Sequence, residues 1–550
     1  MRDGGASRRR YDPGFAALIA LGSVGLFLAA AAYRGGQVEA PAAGVVAVGL
    51  PALAIGLVSA VVLARRGFVL RWRTLVSSIV VVILFVPVGR YALPGGAAFQ
   101  LEPYRVLVAA VAVLWFACLL IQPQTRTHSS GFAGPLAAVA FAVLLSVCVN
   151  AGRVAELGVS TDIVKTLTFF ASFIIVMLFV SSSLDTVEDI DAVVATLVVG
   201  GGVVAAFTII ESRTGFNAFN HLQRFVPVLQ FDAAALPDQL EQRGASHRAL
   251  ASAQHPIALG AALTLLLPLG VYLARKRGGR IWWGLVGLPA RGVGAAAART
   301  ATVMLLVEVV VLLALQPRAM FRLWPWAIPF LLVVHIAVPG TLGGLKDSFL
   351  PRGGLVAEQQ QGAGTYGSNR LADLGPGLEE IRRKPYIGQG FGTRITERSN
   401  PKHNAPILDN EWLGWTMQTG LAGFLALAWL FVRAVRRLSR AALRTRGEQS
   451  WLYAALAASI AAFAFGMLTY DALSFTQVTF LLFIQLGLAG ASLRIGAPEM
   501  TKTRARGDAV SGAQAGAPRR SAGRSRWRSR GGERTSASGN RASRASAAAA

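Results

Sequence analysis

Cysteine and acidic residues are both scarce here: 550 residues hold two Cys, and 28 Asp plus Glu stand against 54 Lys plus Arg. Cys118 and Cys148 lie inside apolar runs, where thiols act as small packing residues, so neither a disulfide framework nor a cysteine metal site is expected. Charge of either sign is low, at 15% of residues against 53% hydrophobic, which excludes an ordinary soluble globular protein. No Walker sequence, zincin motif or Gly-x-Ser-x-Gly elbow occurs. The turn Gly388, Gln389, Gly390, Phe391, Gly392 follows a surface-helix pattern rather than a strand, so it is no dinucleotide fingerprint.

What is present is a succession of apolar runs of roughly 17 to 25 residues, matching the hydrocarbon thickness of a bilayer at about 1.5 Å per helical residue. They fall near Phe15 to Ala32, Val45 to Leu63, Leu75 to Val88, Val106 to Ile121, Pro135 to Val149, Ile163 to Val180 and Ala192 to Ile210. The series continues with Ile257 to Leu273, Trp282 to Ala297, Ala301 to Leu315, Leu323 to Val338, Trp412 to Val432, Leu452 to Met467 and Phe475 to Leu493. The expected fold is all-α, a polytopic transmembrane helical bundle of about fourteen spans. Arg8, Arg9 and Arg10 precede the first run as in a secretory signal, but its length and the spans that follow mark it as a retained helix.

The net charge of +26 reads as topology rather than nucleic-acid binding, because the basic residues fall between spans and in a tail, not on one folded face. Arg65, Arg66, Arg71 and Arg73 share a side with Arg275, Lys276, Arg277 and Arg280, and with the arginines from Arg433 to Arg446. That side is expected to be cytoplasmic and to hold both termini. Residues 1–13 are expected to form the cytoplasmic N-terminus and 14–495 the membrane domain. The stretch 496–550, rich in Arg, Ser, Gly and Ala, reads as a disordered basic tail held near anionic lipid.

Two long loops, 211–254 and 340–411, then fall on the extracytoplasmic side, where binding or catalysis is expected, a flexible insertion being the alternative. In the second, Leu371, Leu374, Leu378 and Ile381 recur at helical spacing opposite Glu379, Glu380, Arg382, Arg383 and Lys384, which predicts a short amphipathic helix ended by Pro385.

Three clusters carry chemistry. Arg243 and Arg248 near a helix start suit a phosphate or carboxylate, since the guanidinium fork pairs bidentately; the bland reading is a phospholipid headgroup. His247 and His255 have no zinc spacing and no metal site is expected. Arg299, bordered by apolar residues, faces either a cavity or the interface. The run Lys402, His403, Asn404 to Asp409, Asn410, Glu411 brings proton acceptors to one helix N-terminus, where His403, Asp409 or Glu411 accepts a proton, or Asp409 or Asn410 merely caps the helix.

The order of these features resembles the O-antigen ligase and O-antigen polymerase superfamily, from about Leu101 to Leu493. The resemblance rests on Arg248 through His255, Pro256 and Gly260; on Ala298, Arg299, Thr300; and on Pro385 to Gly392 leading to Asp409, Asn410, Leu413 and Gly420. It implies a metal-independent glycosyltransferase of the helical GT-C-like kind, without cofactor. Its donor is a glycan on undecaprenyl pyrophosphate and its acceptor a second glycan or a lipid anchor, within membrane lipid. By the resemblance Arg248 and Arg299 bind the pyrophosphate, with Arg243 and Arg370 as further candidates. The base is His403, beside Asn404, or Asp409, which occupies the family's histidine position counted back from Gly420; Asn410, Glu411 and His255 support it. A transporter or flippase for a lipid-linked or anionic sugar is the other reading, though no internal symmetry favours it. A noncatalytic membrane scaffold would leave the arginines unexplained.

Overall fold

The computed structural model describes residues 71–94, 101–121, 127–128, 130–233, 242–243, 246–296, 298–322, 374–394 and 408–515. The expected spans Phe15 to Ala32, Val45 to Leu63 and Leu323 to Val338 lie outside these residues, as do Arg370, His403 and Asn404. Every other apolar window falls on a helix: α1 (Trp72–Phe85), α2 (Pro103–Ile121), α3 (Ala133–Val149), α5 (Ser160–Ser183) and α6 (Val187–Thr214), then α7 (Pro256–Arg277), α8 (Arg280–Ala296), α9 (Arg299–Leu315), α11 (Glu411–Arg444), α12 (Glu448–Gly466) and α13 (Thr476–Ala515). Short helices α4 (Ala151–Glu156) and α10 (Leu374–Arg383) complete the α-helices among the described residues. Among the described residues six helices are long and apolar enough to cross a membrane: α5, α6, α7, α11, α12 and the part of α13 from Thr476 to Gly496. The protein is an integral, helical membrane protein; among the described residues strands are confined to the two-residue pairs β1 (Tyr91–Ala92) with β2 (Gln230–Phe231), and β3 (Gln242–Arg243) with β4 (Ser246–His247).

Helix α7 is the axis of the bundle and is buried along almost its whole length, against α6, α8, α9 and α12. Pro268 supplies no N–H to its ladder, and nearby the Leu265 carbonyl accepts from Ser459 Oγ and Gln485 Nε2, each at 2.9 Å. Close approach comes from small residues. A side chain at Gly200 would strike Leu84 of α1, at Gly201 Leu266 of α7, and at Gly202 Leu285 of α8, so three successive glycines let α6 meet three helices. Outer helices present Phe141, Leu144, Val149, Leu306 and Val310 outward, as lipid-facing surfaces do.

Hydrogen bonds join the helices at two ends. At one, Tyr272 and Lys276 meet Asp191, and Gln316 meets Ser450. At the other lie Arg90, Glu211, His255, Thr300 and Glu411, which belong to the candidate site.

Helix α11 is broken at Gly420, where φ is 69° and ψ is −170°. The break unpairs the Met417 and Gln418 carbonyls and the Leu421 and Ala422 amides. All four are taken up by the glycine-rich loop: Gln389 N–H donates to Met417 O (2.9 Å), Gly390 N–H to Gln418 O (3.1 Å), Leu421 N–H to Pro385 O (2.8 Å) and Ala422 N–H to Tyr386 O (3.1 Å). Gly388 (φ 74°), Gly390 (φ 112°) and Gly392 (φ 79°) adopt left-handed backbone to follow the break, and a methyl on Gly388 would collide with the Gln418 carbonyl. Asn150 at the end of α3 donates to Gly388 O (3.1 Å) and accepts from Lys384 Nζ (2.6 Å).

The amphipathic helix expected before this loop is α10, but its packed face differs. Gly377 lies against Leu413 and Ile381 against Leu408, Leu413 and Met417, whereas Leu378 is exposed. A glycine on the inner face lets α10 approach the start of α11, so contact rather than hydrophobic period sets the orientation.

Candidate functional site

The segment Arg248 to Ser252 has no regular structure of its own and is held by charges from two helix ends. Glu211, in the last turn of α6, accepts from Asn217 Nδ2 (3.0 Å) and the Leu250 amide (3.2 Å) through Oε1, and from the Ala251 amide (2.7 Å) through Oε2. Arg90, just beyond α1, donates to Asn220 Oδ1 (3.0 Å), Ala251 O (2.9 Å) and Ala253 O. Both side chains are 2% exposed, so these bonds replace lost hydration. Burial pushes the Arg90 guanidinium below its usual range and the charge of Glu211 works back against that. Ala251, gripped at its N–H and its carbonyl, sits at φ 43°, a left-handed conformation that an alanine adopts only under such constraint. Gln477 of α13 adds a bond from Nε2 to Ser252 Oγ (3.2 Å).

This clamp positions Arg248 and, a turn later, His255. Arg248 is 6% exposed, and burial lowers its pKa. His255 caps α7: Nδ1 accepts the Ile257 amide at 3.2 Å, and the ring stacks on Phe475 with centroids 5.8 Å apart. Burial depresses the His255 pKa, the Arg248 charge depresses it further, and Asp409 partly opposes both. The imidazole is therefore neutral near pH 7. With Nδ1 engaged as acceptor, Nε2 carries the proton and is a donor. Arg248 and Asp409 thus both lie within electrostatic reach of His255, although 154 positions separate His255 from Asp409 along the chain.

Arg299 is the first residue of α9, after Ala298 at φ −99° and ψ 119°. The turn packs against α7 where Gly260 stands: a Cβ there would be 2.9 Å from Ala301 Cβ and 3.2 Å from Ala298 Cβ. Thr469 Oγ1 donates to Thr300 Oγ1 at 3.0 Å, which ties the Arg299 turn to the connection between α12 and α13. That connection in turn holds the start of α11, because the Glu411 amide donates to Met467 O (2.8 Å) and to Tyr470 O (3.2 Å). The Arg248 segment, the Arg299 turn and Asp409 consequently share one end of the bundle.

Two sequence candidates take structural positions. Asn410 caps α11 through Oδ1, which accepts the Leu413 amide at 3.2 Å. Glu411 turns inward, is 4% exposed and accepts the Leu473 amide at 2.9 Å, with Asp471 and Arg394 as charged neighbours. Its carboxylate thereby joins the start of α11 to the connection between α12 and α13. Asp409, one residue earlier, stays outside the helix. The backbone of Arg243 pairs with Ser246 in the β3–β4 hairpin. His403, Asn404 and Arg370 lie outside the described residues.

Sequence reading passed over Arg90, Glu211, Arg394 and Asp471. Arg90 and Glu211 carried a usable signal, each being a charge at the edge of a long apolar run. Arg394 carried none, since its place opposite Glu411 depends on the loop docking at Gly420.

A bundle of apolar helices with a buried arginine, a neutral histidine and a carboxylate gathered beyond its ends defines a polytopic membrane protein with a polar end site. Residues 284–428 match the family model described as O-antigen ligase, which supports the resemblance to the O-antigen ligase and polymerase superfamily over that part of the chain. The matched region runs from α8 to the middle of α11 and includes Arg299, the glycine loop, Asp409 and Gly420. No curated protein matches the chain.

Proposed function

We propose that the protein is a membrane glycosyltransferase that transfers or polymerises a glycan carried on undecaprenyl pyrophosphate, at the extracytoplasmic face and without a metal ion. The observation that carries this reading is the convergence of Arg248, His255 and Asp409 at the bundle end that also holds the Arg299 turn. Arg248 and Arg299 pair with the pyrophosphate and stabilise the charge that grows on it as the bond from the sugar C1 to the phosphate oxygen breaks. The acceptor hydroxyl attacks C1 and its proton passes to a carboxylate or imidazole, Asp409 or His403. His255 is a donor through Nε2, so it orients a phosphate or carboxylate oxygen rather than taking the proton.

The broken α11 resembles the discontinuous helices of transporters, but its freed backbone groups are consumed by the glycine loop and are not open to a substrate. That favours the transferase over the transporter.

The test uses purified protein in vesicles with a lipid-pyrophosphate-linked oligosaccharide, following chain extension or transfer. Arg299→Ala is expected to cut turnover by about 10²–10³-fold, the scale for removing one electrostatic donor. Asp409→Asn and His403→Ala are compared for a loss of about 10²–10⁴-fold, which identifies the base. A chelator is expected to leave the rate unchanged. Full activity in Arg299→Ala and in both base variants would overturn the proposal.

A further inference from the structure

The opposite end of the bundle holds a cavity of about 650 Å³ between the ends of α7, α9 and α11 and the start of α12. Its lining includes Arg275, Lys276, Arg318 and Arg446, with Glu448 the one acid among the described lining residues. The available carboxylates serve Lys276: Asp191 accepts from its Nζ at 2.6 Å and Glu448 lies 3.5 Å from it. Arg275 lies over the Trp451 ring at 4.4 Å. Arg318 and Arg446 make no ion pair with any described residue. The floor is fixed, because Gln316 Nε2 donates to Ser450 Oγ (2.6 Å) and Ser450 Oγ donates to Ala442 O (2.7 Å).

Positive charge at helix ends on the cytoplasmic side is general, and topology requires only that it reach water. Here the charges surround a concave, built site, and Leu315 and the exposed Leu443 add apolar wall beside the arginines. A charged group against acyl-compatible surface, at the ends of membrane helices, has the chemistry of a phospholipid headgroup with its first methylenes.

We propose that this cavity binds the phosphate of an anionic phospholipid from the same leaflet, held by Arg318 and Arg446 and backed by Arg275 on Trp451. Occupancy ties the end of α11 to α9 and α12. The inference is independent of the transferase reading.

Delipidated full-length protein in neutral detergent is titrated with phosphatidylglycerol, phosphatidylcholine or inorganic phosphate, following Tm and the lipid retained in native mass spectrometry. Phosphatidylglycerol is expected to raise Tm by several degrees and to remain bound, with little effect from phosphatidylcholine. The double variant Arg318→Gln/Arg446→Gln, at exposed positions, is expected to keep the basal Tm and lose most of the shift. Arg436→Gln/Arg440→Gln, which removes the same charge from exposed positions on α11, is expected to keep it. Equal shifts in both double variants would reduce the effect to general surface charge and overturn the site. Stabilisation by inorganic phosphate without lipid retention would overturn the lipid assignment.

Discussion

Two opposite charges, Arg90 and Glu211, grip the two sides of one residue, Ala251, whose carbonyl and amide they bond at 2.9 and 2.7 Å. Removing either partner strands buried polar atoms. Arg90→Met is expected to destabilise the protein by about 1–3 kcal/mol or more, because it leaves the buried Ala251 and Ala253 carbonyls and Asn220 Oδ1 without their donor. Glu211→Gln keeps the shape but loses an acceptor, for about 1–3 kcal/mol. Both changes should lower kcat more than they weaken donor binding elsewhere, because they free the segment that aims Arg248; thermal unfolding beside steady-state kinetics separates these effects. His255 gives a pH signature. Its pKa in the folded protein is below the ordinary 6.5, so the unfolded chain binds the proton more readily. The stability that follows is complete above about 6.5 and falls as the pH drops towards the folded pKa, by at most about 1.4 kcal/mol per pH unit. His255→Asn retains a capping oxygen and should flatten this dependence between pH 5 and about 6.5 in denaturation curves. An unchanged slope would remove His255 as its source.

At the scale of elements, the junction between the glycine loop and α11 makes the sharpest claim. Gly388 and Gly420 both have left-handed backbone, and each lies where a methyl would meet the other segment's backbone. Gly420→Ala and Gly388→Ala should each cost at least about 1–2 kcal/mol from the left-handed conformation alone, with collision added. Because both disrupt the same four backbone bonds, the double variant should cost less than the two singles together. Strict additivity would mean that the loop and the helix do not share this junction. Gly260→Val tests a second close approach: it should displace the Arg299 turn and reduce transfer while α7 remains folded, as read by circular dichroism. Gly388, Gly390, Gly392 and Gly420 are visible in the sequence as a glycine-rich turn and a glycine within the following helix. Their purpose was not legible there, because a glycine that permits a turn and one that admits a foreign backbone look alike until the partner segment is known.

For the whole molecule, sidedness is the property on which the transferase proposal depends. In a cysteine-free background, a membrane-impermeant maleimide should label Ser474→Cys from outside intact cells, and Arg440→Cys only after permeabilisation. The reverse pattern would move the candidate site to the cytoplasm and remove the extracytoplasmic transferase. The candidate residues were legible to different degrees. Arg248, Arg299 and Asp409 were found as charges misplaced among apolar residues or beside a helix start, whereas the Arg90 and Glu211 clamp had to be seen folded.

Sequence alone determined that this chain is a helical membrane protein. Apolar runs of bilayer length leave the backbone no partner but itself, so α-helix follows without knowledge of any neighbour. It also determined where arginine, histidine and glycine stand along those helices. Only the tertiary structure decided that Arg248 and Asp409 come within electrostatic reach of His255, that Glu411 turns inward, and that the glycine loop mends a broken helix. The physical reason is that each depends on contacts between segments far apart in the chain, chosen by how small residues let helices approach and by which buried polar groups must be satisfied.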